Sequence, residues 1–501
     1  MTMMNDELQK KRDPDQSEIA FYLLFSVQLV LIAIGIFVPI RMGVTTLPLV
    51  IALSMITLMR CTGQETDWKR GQNVMFGLFM VWGAYCLFEI GNPNHVQAAW
   101  NIAITHYWVY PLVFAFVVPL AIRNYKGIEW LLLIWSVFVL IAAFKGYWQK
   151  SHGFNAKELY FLYTLGGYRT HLIWSGIRYF SCFPDAANFG VHSAMAVTTF
   201  GIATFYVRKR WMKVYFAIIA ICAIYGMGIS GTRAAMAVPF GGIALFILVS
   251  KSWKSFAFST LAFIAVFSFF NFTTIGDGNQ YIRKMRSAFR PSEDASYQVR
   301  VENRKKMKGL MDEKPIGYGI GLSKGAQYGP KEVMPYPPDS WLVAVWVETG
   351  IVGLMLYLLI HGVLFAWCSW LLMFRIMNQR LRGLLAAWLC MNAGFFIAAY
   401  ANDVMQYPNS IIVYTGFALC IAGPYIDPVM QKEDEEAGKG EKREEKKRLI
   451  INEIKKNKGF ITDIHETNTS FNIFYHHLLQ WAGRHLRVDR IATRHNQFRQ
   501  L

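Results

Sequence analysis

The sequence predicts an all-α protein that crosses a membrane about twelve times, and three observations lead there. Apolar residues come in blocks of about 17 to 25 with almost no charge, the length that spans a hydrocarbon core. These blocks dominate a chain of 501 residues that is 54% hydrophobic and 15% aromatic. Lys and Arg sort into alternate connections between the blocks, as they do in membrane proteins. Because lipid offers the backbone no hydrogen-bond partner, each block is expected to be a helix.

The blocks are 21–40, 43–59, 74–90, 101–122, 128–144, 187–207, 214–229, 234–249, 256–271, 351–374, 384–401 and 410–425. The first follows a polar start and precedes no small-residue cleavage site, so it is expected to be a retained helix and not a signal peptide. One set of connections carries Lys10, Lys11, Arg12, Arg60, Lys69, Arg70, Arg123 and Lys126. It continues with Arg208, Lys209, Arg210, Lys213, Lys251, Lys254, Arg375, Arg380 and Arg382. The opposite set carries only Arg41 and Arg233 in its short members. That asymmetry puts the first set, and with it both termini, in the cytoplasm. The expected organisation is a cytoplasmic N-terminus (1–20), a transmembrane domain (21–426) with a large outer loop at 272–340, and a charged cytoplasmic tail (427–501).

Much of the net charge of +18 is this topology. The remainder lies outside, where it points to an anionic lipid or substrate; nucleic acid is not expected there. Seven cysteines with no CxxC pair argue against a disulfide framework. The tail segment QKEDEEAGKGEKREEKKR reads as a solvated helix or linker. Beyond it Phe471, Ile473, Phe474, Leu478 and Trp481 recur at helical spacing, as in a helix lying on the membrane surface or binding a partner. The phosphate loop GxxxxGK[ST], the zinc signature HExxH and the elbow GxSxG are all missing from the sequence. No cofactor or metal is implied.

What remains is a set of polar residues at the outer ends of the blocks. Arg233, in ISGTRAAM, sits where one helix returns after a short turn. Such an arginine must reach water, headgroups, a carboxylate or an anionic ligand. In the outer loop, SYQVRVENRKKMKGLMDEKPIGYGIG begins as an amphipathic helix with Val301, Met307, Leu310 and Met311 inward. Arg300, Arg304, Lys305, Lys306 and Lys308 line its other face, either as a solvated surface or for capture of phosphate oxygens. In YPPDSWLVAVWVETGIVGL, Asp339 or Ser340 is placed to cap a helix, and Gly350 and Gly353 permit a bend. Glu348 falls in apolar sequence, where a carboxylate needs a partner. Asp403 and Glu89 are placed at similar depth, and His192 and His361 read as structural.

ISGTRAAM, RVENRKKMKGLMDEKPIGYGIG and DSWLVAVWVETGIVGL occur in that order around a large outer loop. Together with RYFSCFPDAANFG before the sixth block, they resemble the O-antigen ligase and O-antigen polymerase superfamily over roughly residues 170–425. The resemblance implies a GT-C-like, metal-independent glycosyltransferase of the bacterial inner membrane with a periplasmic loop. The implied donor is a glycan on undecaprenyl diphosphate, and the implied acceptor is a glycan or the lipid A core. By this resemblance Arg233 and Arg300 match the phosphate-binding arginines; Arg178 and Arg304 are further candidates. Asp339 and Glu348 are the catalytic candidates. Where a ligase reads HN, nine residues before the carboxylate of its E-x-G segment, this chain reads Asp339–Ser340. A carboxylate is a weaker base than an imidazole, which tilts the reading toward polymerase. A multi-span transporter or a non-catalytic partner of an assembly complex are the competing readings. A transporter, however, generally gathers its polar groups near the midplane.

Overall fold

The computed structural model describes residues 16–37, parts of 50–57, and 67–173, 176–251, 253–289, 295–323 and 331–435. The predicted block 43–59 falls mostly outside these residues, as do 38–40 of the first block and the tail helix around Phe471 to Trp481. By its internal contacts the chain forms two units, Met1–Met430 and Gln431–Leu501, and every candidate site residue belongs to the first.

The described chain is helical but for one hairpin. Its elements are α1 (Gln16–Phe37), α2 (Val74–Phe88) and α3 (Gln97–Ile104). A π-turn (Thr105–Val109) carries α3 into α4 (Tyr110–Ala121). Then come α5 (Tyr125–His152), α6 (Ala156–Tyr163), α7 (Tyr168–His171) and a hairpin of β1 (Leu172–Ile173) with β2 (Gly176–Ile177). The hairpin is antiparallel, with Leu172 opposite Ile177. The second half holds α8 (Ala186–Tyr206), α9 (Arg210–Ile229), a 3-10 turn (Arg233–Met236), α10 (Ala237–Val249), α11 (Trp253–Phe272), α12 (Gln280–Ser287) and α13 (Ala295–Met311). It closes with α14 (Trp341–Trp370), α15 (Gln379–Ala401) and α16 (Asn409–Glu435).

Among the described residues seven helices are long and apolar enough to cross a membrane. They correspond to the predicted blocks at 74–90, 101–122, 128–144, 214–229, 351–374, 384–401 and 410–425. The apolar stretches at 18–30, 233–249 and 259–272 are helical but shorter. Block 187–207 is helical as α8 yet is not among the seven. The reason is its place in the bundle. Asn188, His192, Ser193, Thr198 and Thr199 are buried, because α8 packs on α9, α10 and α15, so its polar groups meet protein and not lipid. His192 accepts from Trp135 Nε1 at 3.0 Å and pairs with Asn409 at 2.9 Å, and is accordingly structural. On the opposite side, α5 exposes Val137, Ile141 and Phe144 in a stripe suited to lipid.

Side-chain caps start the long helices where the sequence leaves the apolar blocks. Asn73, Asn124, Asp185 and Asn378 each accept a backbone N–H from the first turn of α2, α5, α8 and α15. Asn155 and Glu158 form a reciprocal capping box on α6, and Lys145 reaches the buried Glu158 carboxylate at 2.8 Å. This ion pair fastens the loop after α5 to the bundle.

Helix α14 is broken at Gly350, which lies at φ 67°, ψ −171°. A Cβ there would stand 1.9 Å from the Pro315 carbonyl oxygen, so only glycine fits. Just before the break the carbonyls of Val347 and Glu348 accept from Tyr318 and Gly319 at 2.8 and 3.0 Å. The glycine-rich end of the long loop is thereby stitched onto α14. Beside it Met307, Met311, Tyr318, Met334, Val343 and Val347 form a small core of their own.

Candidate functional site

The polar candidates gather at one end of the bundle, around the turn between α9 and the 3-10 segment. That turn is Ser230–Gly231–Thr232. Arg178, just after the hairpin, binds it from outside: Nε donates to the Ser230 carbonyl at 3.3 Å and Nη2 to Thr232 Oγ1 at 2.9 Å. Nη1 donates to the Thr170 carbonyl at 3.1 Å, and Thr232 Oγ1 passes its own hydrogen to the Ala186 carbonyl at 2.8 Å. The guanidinium fork therefore holds the α7–hairpin segment and the turn in one piece.

Gly231 occupies the left-handed region at φ 58°. A Cβ on it would lie 3.2 Å from Lys284 Nζ and 3.4 Å from Arg178 Cγ. The bare backbone is what lets two cations close over the turn. Arg233 completes the group, its Nη1 3.5 Å from Ser287 Oγ on α12, one turn beyond Lys284. Burial holds the Arg178 guanidinium below its ordinary pKa, opposed by Asp185 and reinforced by Arg300 and Arg233. Lys284 is brought down to about 8 by burial first, then by Arg178 and Arg233. Each of these shifts comes first from burial, and the neighbouring cations add to it.

Arg300 and Arg304 project from α13 toward the end of α15. Arg300 donates to the Ala401 carbonyl at 2.9 Å and to Asn402 Oδ1 at 3.2 Å, with Nε 3.9 Å from Asp339 Oδ2. Arg304 donates to Tyr400 Oη at 2.8 Å and lies over that ring at 4.6 Å. Between α13 and the start of α14 is a small open cleft of about 10 Å³, lined by Arg300, Asn303, Arg304, Asp339 and Ser340 among others. The helix cap is Ser340, whose Oγ accepts from Val343 N. Asp339 is exposed at the mouth of the cleft and is not needed as a cap.

Glu348 is placed elsewhere. Its carboxylate is buried and accepts from Gly321 N at 2.9 Å, from Ser323 N at 3.4 Å and from Ser323 Oγ. It lies two turns inside α14, whereas Asp339 precedes the helix. The structure thus brings Arg178, Arg233, Arg300, Arg304 and Asp339 to one end of the bundle, and engages Glu348 in holding the loop. Sequence reading passed over Lys284. The signal available was its place in the basic segment YIRKMRSAFR, where the hydrophobic face of a short helix carries a lysine between Tyr281 and Met285.

The family model of O-antigen ligase matches residues 216–358, from the middle of α9 through the break in α14. Arg233, Lys284, Arg300, Arg304, Asp339 and Glu348 all fall inside the match. No curated protein matches the chain. Members of this family are O-antigen ligases or polymerases, which are glycosyltransferase-type enzymes of polysaccharide assembly. The order of motifs and the matched domain agree: over residues 216–358 this chain is similar to the O-antigen ligase family, which supports the O-antigen ligase and polymerase superfamily.

Proposed function

We propose that the protein is a glycosyltransferase of surface-polysaccharide assembly that transfers or polymerises a glycan carried on undecaprenyl diphosphate, at the periplasmic face of the inner membrane. The observation that carries this reading is the convergence of Arg178 and Arg233 on the turn at Gly231, with Arg300 close enough to act on Arg178. A cluster of cations suits a diphosphate, whose negative charge grows as it leaves.

In the proposed step the acceptor hydroxyl oxygen bonds to the anomeric carbon of the donor while the bond to the diphosphate oxygen breaks. The hydroxyl proton passes to Asp339, and the electron pair leaves with the diphosphate. Arg300 stands between the two tasks, since it faces Asp339 on one side and the cation cluster on the other. Asp339–Ser340 in place of a histidine favours polymerisation over ligation.

The test is a gel of surface polysaccharide from a deletion strain, its parent and an Asp339→Asn strain. Collapse of a ladder to a single repeat identifies a polymerase. Loss of attached glycan with lipid-linked chains accumulating identifies a ligase. An unchanged pattern in the deletion strain overturns the reading.

A further inference from the structure

Lys284 is 9% exposed, and its Nζ has no hydrogen-bond partner among the described residues. Buried ammonium groups are ordinarily paired, because an isolated charge loses its hydration without replacement. Lys145 in the same protein shows the ordinary arrangement, with Nζ 2.8 Å from the buried Glu158 carboxylate. Among the described residues, the charges that act on Lys284 have the wrong sign. Arg178 faces it from the hairpin side and Arg233 from the 3-10 turn. On its own helix Arg286 pairs with Asp277 and Arg283 donates to the Asp277 carbonyl, so that carboxylate is already engaged. Tyr281 sits under Lys150, and Asp185 acts on Arg178.

The aliphatic stem of Lys284 packs at the bundle end as a methionine could, while the ammonium adds cost. What the ammonium faces is the bare backbone of Gly231, where a side chain would fill the space now left at its tip.

We propose that Lys284 is a phosphate ligand of the donor site, donating hydrogen bonds to an oxygen of the leaving diphosphate beside Arg178 and Arg233. The inference rests on the diphosphate-donor reading and adds to it a residue and a proton. Lys284 is lowered to about 8 in the empty site, by burial and then by the two arginines. A bound diphosphate reverses that balance and favours the charged form. Above pH about 8, binding therefore takes up a proton, and affinity falls as pH rises until the pKa of the bound state is reached.

The experiment is calorimetric titration of the purified full-length protein with inorganic diphosphate at pH 7 and pH 9.5. Wild type, Lys284→Met and Lys284→Arg are compared, with a melting temperature for each. Lys284→Met is expected to bind roughly ten- to a hundredfold more weakly at pH 7, as for loss of a charge-assisted hydrogen bond. Its melting temperature should equal or exceed that of wild type, because a crowded buried charge has gone. Lys284→Arg stays charged at both values and carries the titration of the probe itself. Its affinity relative to wild type should therefore rise between pH 7 and pH 9.5. Wild-type affinity in Lys284→Met overturns the proposal and leaves the donor site standing. No diphosphate binding by wild type at either pH overturns both.

Discussion

Arg300 Nε lies 3.9 Å from Asp339 Oδ2 across the mouth of the cleft between α13 and α14. Two groups distant in sequence, one a proposed diphosphate ligand and the other a proposed base, meet where donor and acceptor would react. Asp339 is exposed and contributes neither a cap nor core packing. Replacing it with Asn should leave melting temperature within a degree or so, but lower glycan transfer by roughly a hundred- to ten-thousandfold, the usual worth of a general base. Transfer to a defined acceptor by purified protein checks this, and normal turnover removes Asp339 from the chemistry.

Arg300 binds Ala401 and Asn402 through two separate nitrogens while presenting a third to Asp339. Lysine cannot reproduce that fork. Arg300→Ala is expected to cost about a hundredfold or more in transfer, and Arg300→Lys to recover only a small part of it. Membrane levels of both variants should match wild type on an immunoblot. Equal turnover in Arg300→Lys and wild type would show that charge alone suffices.

Glu348 and Gly350 act as a pair of anchors for the loop that ends on α14. Glu348→Gln keeps one acceptor oxygen and sets an amide N–H₂ against either the Gly321 or the Ser323 donors, at a cost of roughly 1.5–3 kcal/mol. Gly350→Ala meets the Pro315 carbonyl and a positive φ together, and should destabilise by roughly 3 kcal/mol or more. Gly362→Ala on the same helix meets nothing within 4 Å and serves as the neutral control. Thermal melts in detergent order the three variants. A stable Gly350→Ala protein would contradict the break in α14.

His171 accepts the Ala186 N–H through Nε2 at 3.2 Å, which requires an unprotonated ring nitrogen. Burial holds its pKa below the usual histidine value, opposed by the Gly167 carbonyl and assisted by Arg178. The sign follows directly. The contribution is complete above pH about 6.5, the unfolded-state value, and is lost as pH falls from there through the lower folded-state pKa. Protection of residues 176–186, taken as exchange relative to the intrinsic rate at each pH, should fall on acidification from pH 7.5 to pH 5, and His171→Gln should flatten that response. Identical protection at the two pH values would exclude this role.

Inspection of the chain alone was enough to reveal the helical class and most of the long apolar helices. Hydrophobic length and charge asymmetry are local properties, written in consecutive residues. The buried faces of Met307 and Met311 on α13, and the turn before Arg233, were legible for the same reason. Spacing also placed a carboxylate and an arginine-bearing helix near one another through the order of motifs.

Three things depended on the tertiary structure. Ser340 took the cap and left Asp339 exposed, a choice between adjacent residues made by their backbone geometry. Glu348 became an anchor for the loop because a glycine break in α14 opened its carbonyl and carboxylate to residues some 25 to 30 positions earlier. Lys284 joined Arg178 and Arg233 around Gly231 although more than 50 residues separate its position from either. Periodicity reports which side of a helix turns inward, and it carries no information on which charges from other helices arrive there. That meeting of like charges at one end of the bundle was decided by packing alone.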